Sequence, residues 1–284
     1  MLRLANSDLT VELLDPASAA DTARQGPRFC WGGYIWQIRD AAGAPLLAGP
    51  EWPLPDPIAF NGQGLPESFR HAELATGRPL LLEDGRGFII GVGDVAPGPD
   101  GLALTAPARW AITPLPHAIE FCTAQQNARH ACSLTRHIAL AGRVVTSLTR
   151  VVNHGTQPMP LHWFAHPFFA LTDRLLTADL PSSWGMADNI GYALDAQHRL
   201  TFKRRFLHKD DGHFEYLRIG AEPLHVRLSH PHLAWLDFST DFVPDLCPVW
   251  GNSNTWSIEP YITTELAPGA ARQWTLRYEF GPAA

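Results

Sequence analysis

The stretch PLHWFAHPFFALTD, residues 160–173, sets His162 and His166 four positions apart among large aromatic side chains and breaks at Pro167. On a helix that spacing would read as a zinc pair, but a metalloprotease helix of this kind carries Glu directly after its first histidine. Trp163 stands in that place. The proline and the flanking aromatics favour a strand, on which residues 162, 164 and 166 point one way and 161, 163 and 165 the other. Both histidines then share one face. Three roles stay open for them at this point: packed core rings, a two-histidine, one-carboxylate metal site completed from elsewhere, or a proton donor.

Working outward, the 284 residues hold 25 prolines and 23 glycines, spaced so closely that few windows remain for a stable amphipathic helix. Short runs fit between the breaks: YIWQI at Tyr34 to Ile38, FIIGV at Phe88 to Val92, RVVTSLTRVV at Arg143 to Val152, LHVRL at Leu224 to Leu228, and TLRYEF at Thr275 to Phe280. Their β-branched and aromatic residues mostly alternate with polar ones, as strands do. No composition shift marks a linker. The expectation is an all-β chain, a large antiparallel sandwich formed as a single domain over residues 1–284, with short helical pieces only around Glu67 to Ala75 and near Leu175.

Composition excludes several classes of function. A formal charge of −6 with 22 Lys and Arg gives no electrostatic reason to bind nucleic acid. The first twenty residues interrupt their apolar positions with Arg3, Asp8, Glu12 and Asp15, unlike a secretory signal, and no apolar run is long enough to span a membrane. Cys30, Cys122, Cys132 and Cys247 form no C-x-x-C pair and read as free thiols in a reducing cytoplasm. A small uncharged partner is expected, bound by a monomer or homodimer.

Two further stretches carry polar residues where function would use them. In NTWSIEPYITTELAPGAARQWTLRYEF, Glu259 sits inside an aromatic strand directly before Pro260, and a carboxylate there is costly to bury unless paired or used. In GPRFCWGGYIWQI and FNGQGLPESFR, Arg28, Asn61, Glu67 and Arg70 lie close to glycines and a proline, as in binding loops. The basic run FKRRFLHK, residues 202–209, offers a phosphate site or a solvated face. His230 and His232 read as loop histidines.

In their order, GGYIWQI, HWFAHPFFAL and WSIEPYITTELAPGAARQWTLRYEF resemble the opening, central and closing strands of the galactose mutarotase (aldose 1-epimerase) superfamily. The resemblance implies a β-supersandwich with a sugar cleft, His166 as general acid and Glu259 as general base, and no metal or organic cofactor. With a sugar as ligand, the loop residues Arg28, Glu67, Arg70 and His71 are candidate contacts, Asp237 and Asp241 in WLDFSTDF are so by position alone, and Trp163, Phe168 and Trp256 offer flat apolar faces. The family's earlier histidine, usually followed by glycine, has no counterpart in this chain. His71 after SFR is nearest in position, and Arg70 in ESFR stands where the family has N-R-I. Three functions are therefore expected in competition: an anomer-interconverting isomerase, a carbohydrate-binding protein without chemistry, and a metal enzyme built on His162, His166 and Glu259.

Overall fold

Along the strand Ala131–Ala141, Cys132, Leu134, Arg136, Ile138 and Leu140 are buried, and all but the last of the alternate residues are half-buried. This is the alternation of a sheet with one face on a core. In the computed structural model, which describes every residue except 55, 70–81, 84, 100 and 174, that strand belongs to a ten-stranded antiparallel sheet. At its centre Leu236–Thr240, Ala271–Phe280, Val144–Asn153, Ala131–Ala141 and Ala118–Gln126 lie side by side.

Two smaller sheets cover its inner face. One orders Tyr261–Leu266, Met159–Ala165 and Glu67–Phe69; the other orders Phe169–Ala170, Thr255–Ile258, Pro248–Gly251, His213–Arg218 and Gly185–Met186. Trp163 packs on Trp274 with ring centres 4.9 Å apart, and Phe169 on Phe238 at 5.9 Å, so side chains of the two layers interdigitate as in a sandwich. A third sheet, Leu2–Ala5, Leu9–Leu13 and Ile35–Asp40, joins through bridges Ile35 to Leu65 and Leu47 to Phe169. One buried apolar cluster runs from Leu4 to Phe280.

All five runs chosen from the sequence lie in or overlap strands. The helical expectation fails where it can be seen: Glu67–Phe69 is a strand, and Leu175 occupies a turn with φ 67° and reciprocal backbone hydrogen bonds to Thr172. Residues 70–75 lie outside the described residues. Pro66 in front and the charged network that claims Glu67 favour the extended form.

That network is the polar centre of the core. Arg136, 1% exposed, pairs with the Glu67 carboxylate, which also accepts from Ser147 Oγ at 2.6 Å, Thr149 Oγ1 at 3.2 Å and Trp163 Nε1 at 3.1 Å. A buried carboxylate with four donors is satisfied, which is the condition for its tolerance in a core. Removing one partner strands the other, so Arg136→Leu is expected to destabilise by about 3–5 kcal/mol in urea unfolding. Arg136→Leu combined with Glu67→Leu should cost less than the two single losses together.

His230 is a second buried polar tie, 7% exposed rather than a free loop residue. Its Nε2 donates to Leu46 O at 2.9 Å and its Nδ1 accepts from the His232 N–H at 3.1 Å. The second bond needs the neutral ring, and burial lowers its pKa to about 4. The unfolded chain therefore binds more protons than the folded one between about pH 4 and the ordinary histidine value near 6.5. Stability from this group is complete above that window and is lost as pH falls through it, at up to about 1.4 kcal/mol per pH unit. Urea midpoints of wild type and His230→Gln should converge as pH falls from 7 to 4.

Candidate active site

Two proline-interrupted crossings build the site. The chain leaves the strand Met159–Ala165 of one small sheet, passes His166 and Pro167, and enters Phe169–Ala170 of the other. The return is made by Thr255–Ile258, Glu259, Pro260 and Tyr261–Leu266. A proline supplies no ladder donor and holds the residue before it extended. The antiparallel register nevertheless continues across the gap. Phe164 opposes Tyr261 on one side and Phe169 opposes Trp256 on the other, which sets His166 opposite Glu259.

Backbone bonds hold this seam from behind: the His166 N–H donates to Pro66 O at 2.9 Å, Phe168 N–H to Gly64 O at 2.8 Å and Glu259 N–H to Pro248 O at 2.9 Å. Gly64 has φ 77°, and a side-chain carbon there would meet Ile35 O at 2.4 Å, so the close approach requires glycine.

His166 Nε2 lies 3.3 Å from Glu259 Oε1, and His166 Nδ1 lies 3.1 Å from Ser257 Oγ. An ionised carboxylate only accepts, so Nε2 carries the proton and Nδ1 accepts from the Ser257 hydroxyl. His166 and Glu259 are 3% and 4% exposed, yet both line a cleft of about 760 Å³. Burial, and after it the positive charge of Arg28, hold the imidazole well below the usual histidine range. The ring is neutral at pH 7.

Period two decides which neighbours share the cleft. Phe164, Phe168 and Tyr261 lie on the same ladder face as the pair, with Phe164 and Tyr261 stacked at 4.6 Å. Trp163, one residue out of phase, faces the core and is fully buried. Glu67 opposes Ala165 and so also faces the core; its neighbour Ser68, opposite Phe164, lines the cleft instead. Of the other sugar contacts implied by sequence, Arg28 lines the cleft, its Nη1 donating to Phe60 O at 2.9 Å and its guanidinium 4.8 Å from the Phe29 and Phe60 rings. Asp237 is held away from it, in the ten-stranded sheet, by two 2.8 Å bonds from Arg227. Trp256 is buried in the core. Arg70 and His71 lie outside the described residues.

Sequence reasoning missed Ser257, Glu51 and Trp250. Ser257 had a readable signal, since it precedes Glu259 by two positions in WSIE and shares its face. Glu51 had none: its carboxylate accepts from Ile58 N–H at 2.7 Å and Asn61 Nδ2 at 3.0 Å, within one loop. Of the basic run, Lys209 reaches the cleft, 3.1 Å from Asp210 and 3.9 Å from Glu51, while Arg204 and Lys203 are tied to Asp211 and Asp188. Among the described residues no group of three or more His, Cys, Asp or Glu side chains is placed to hold a metal ion. His162 does not line the cleft.

The architecture matches solved structures. A galactose mutarotase related enzyme from Lactobacillus acidophilus aligns over 100% of this chain and 98% of its own, with a TM-score of 0.64 and 15% identity. A galactose mutarotase-like protein from Lactobacillus casei aligns over 99% of both chains, with a TM-score of 0.57 and 13% identity. An aldose epimerase homologue from C. elegans covers 100% of this chain and 99% of its own, with a TM-score of 0.57 and 11% identity. The chain has the galactose mutarotase-like fold. At these identities the likeness is one of fold. No family model and no curated protein sequence matches the chain.

The electrostatics of the pair make a spectroscopic prediction. Long-range ¹⁵N NMR of the imidazoles should find His166 neutral at pH 7, protonated on Nε2, with its titration well below that of an exposed histidine. Removing the nearby cation in Arg28→Gln should move that titration upward, because Arg28 is one of the two influences that depress it.

Proposed function

We propose that residues 1–284 form one domain acting as an aldose 1-epimerase-like isomerase, which interconverts the α and β anomers of a free sugar. Glu259 takes the proton of the anomeric hydroxyl while His166, as imidazolium, delivers one to the ring oxygen. The bond between the anomeric carbon and the ring oxygen breaks, giving the open aldehyde. Rotation about the neighbouring carbon–carbon bond and the reverse proton transfers close the ring as the other anomer.

The observation that carries this reading is the 3.3 Å contact between His166 and Glu259 in the floor of a cleft. Both oxygens that exchange protons are attached to one carbon, so the base and the acid that serve them must be neighbours. A buried acid–base pair side by side has that geometry. The likeness of fold to mutarotase-related structures supports it independently. Three buried free thiols, Cys30, Cys132 and Cys247, support a reducing compartment such as the cytoplasm.

A carbohydrate-binding protein is the second reading, and one observation favours it: His166 resists the protonation that the acid role needs. Kinetics decide between them. With a sugar that binds, polarimetry of freshly dissolved α-anomer should exceed the spontaneous rate. Glu259→Gln and His166→Asn should each lower turnover by about 10²–10⁴-fold, and the double variant should lose far less than the product of the two, because the groups act as a unit. A bound sugar whose anomers never equilibrate faster than in buffer would give the second reading precedence.

A further inference from the structure

The register of the five-stranded sheet places more than the acid–base pair on the cleft face. Ser257 opposes Trp250, and Trp250 opposes Phe214. In the adjacent row the Glu259 N–H donates to Pro248 O, and Pro248 opposes Tyr216. Cross-strand partners point to the same side of a sheet. Trp250, Phe214 and Tyr216 therefore stand on the face that carries Ser257 and Glu259, and Tyr216 lies two strand spacings, about 10 Å, from the Glu259 strand.

Exposure rises steadily along this path. Phe168 is fully buried, Trp250 is half-buried 6.2 Å from His166, and Phe214 and Tyr216 are 43% and 45% exposed. Alternate positions on the outer face of a strand ordinarily carry polar residues. Here two aromatic rings occupy successive outward positions of His213–Arg218 and meet edge to face at 4.9 Å, leaving ring faces open to solvent. Phe214 and Trp250 also line the cleft, so the aromatic strip continues the site rather than forming a separate patch.

We propose that this strip is a second saccharide subsite, in which Trp250, Phe214 and Tyr216 carry the next ring of an uncharged oligosaccharide whose reducing end lies at His166 and Glu259. The inference rests on the anomeric reading of that pair and names its substrate class. A pyranose presents a patch of C–H groups that packs on an aromatic face, and such contacts are tolerant of which sugar is bound. Charge selects the neutral class: the two cations of the cleft, Arg28 and Lys209, are outnumbered by the three carboxylates Glu51, Asp210 and Glu259, and Lys209 lies within 4 Å of the first two. A phosphate or uronate would meet those carboxylates.

Calorimetric titration of the full chain with matched pairs tests this: glucose against cellobiose, galactose against β-1,4-galactobiose, and mannose against β-1,4-mannobiose. For at least one pair the disaccharide should bind about tenfold tighter than its monosaccharide. In Phe214→Ala/Tyr216→Ala that ratio should fall toward one, with the melting temperature kept because both rings are exposed. Equal affinities in the wild type, or a ratio that survives the double substitution, would overturn the subsite. So would a concentration-dependent dimer that the substitution dissociates, since the rings would then serve a second copy of the chain. Binding is measured without turnover, so the two readings part cleanly. A disaccharide preference without accelerated anomerisation keeps the subsite and removes the isomerase; accelerated monosaccharide anomerisation with no preference does the reverse; and no binding by any of the six sugars removes the subsite.

Discussion

The site depends on one constraint: an antiparallel register that survives two prolines. Between Phe164 opposite Tyr261 and Phe169 opposite Trp256, the two chains switch sheets, and neither Pro167 nor Pro260 can donate to the ladder. Had either crossing gained or lost one residue, every side chain beyond it would have changed face. His166 would then point at the core and Glu259 at solvent, or the reverse. The prolines thus free the strands to change sheets, and the ladders on either side keep the count.

The ladders hold their places because the layer beneath is pinned by charge. Glu67 and Arg136 join the short strand Glu67–Phe69 to the ten-stranded sheet, with Ser147, Thr149 and Trp163 completing the carboxylate's bonds. That strand supplies Ser68 to the cleft and is preceded by Pro66, whose carbonyl holds the His166 amide. A carboxylate that faces the core on one residue therefore places a hydroxyl in the cleft on the next. Two adjacent residues serve the two faces of one strand.

Much of this was legible in the chain. Period-two alternation and dense Pro and Gly punctuation gave the all-β class, and the resemblance of HWFAHPFFAL and WSIEPYITTELAPGAARQWTLRYEF to a family's central and closing strands pointed to both members of the pair. What stayed hidden was phase and partnership. Glu67 looks like a loop ligand in PESFR because nothing local announces Arg136, 69 positions away and itself flanked by ordinary strand residues. Asp237 is likewise claimed by Arg227 across a strand pair that sequence alone does not align. Trp163 was the avoidable error: the alternation that put His162 and His166 on one face put Trp163 on the other. The aromatic strip on His213–Arg218 needed the register before Phe214 and Tyr216 could be joined to the cleft.

The pair itself carries an internal tension that its surroundings resolve. A neutral imidazole is a poor acid and an imidazolium that the environment disfavours is a strong one, and in the proposed reaction proton delivery balances that strength against the fraction of the acid form present. Burial, and after it Arg28, supply that bias, while a carboxylate 3.3 Å away is the group placed to attract the charged ring. On the proposed reading, a sugar that seals the cleft would remove water from both partners. That loss of water would raise the cost of the imidazolium and at the same time strengthen its attraction to the carboxylate, so the proposed acid form depends on the carboxylate at 3.3 Å offsetting burial. Arg28 adds to the effect of burial in that balance. Without that guanidinium, held between Phe29 and Phe60, the imidazolium would form more readily and give up its proton less readily.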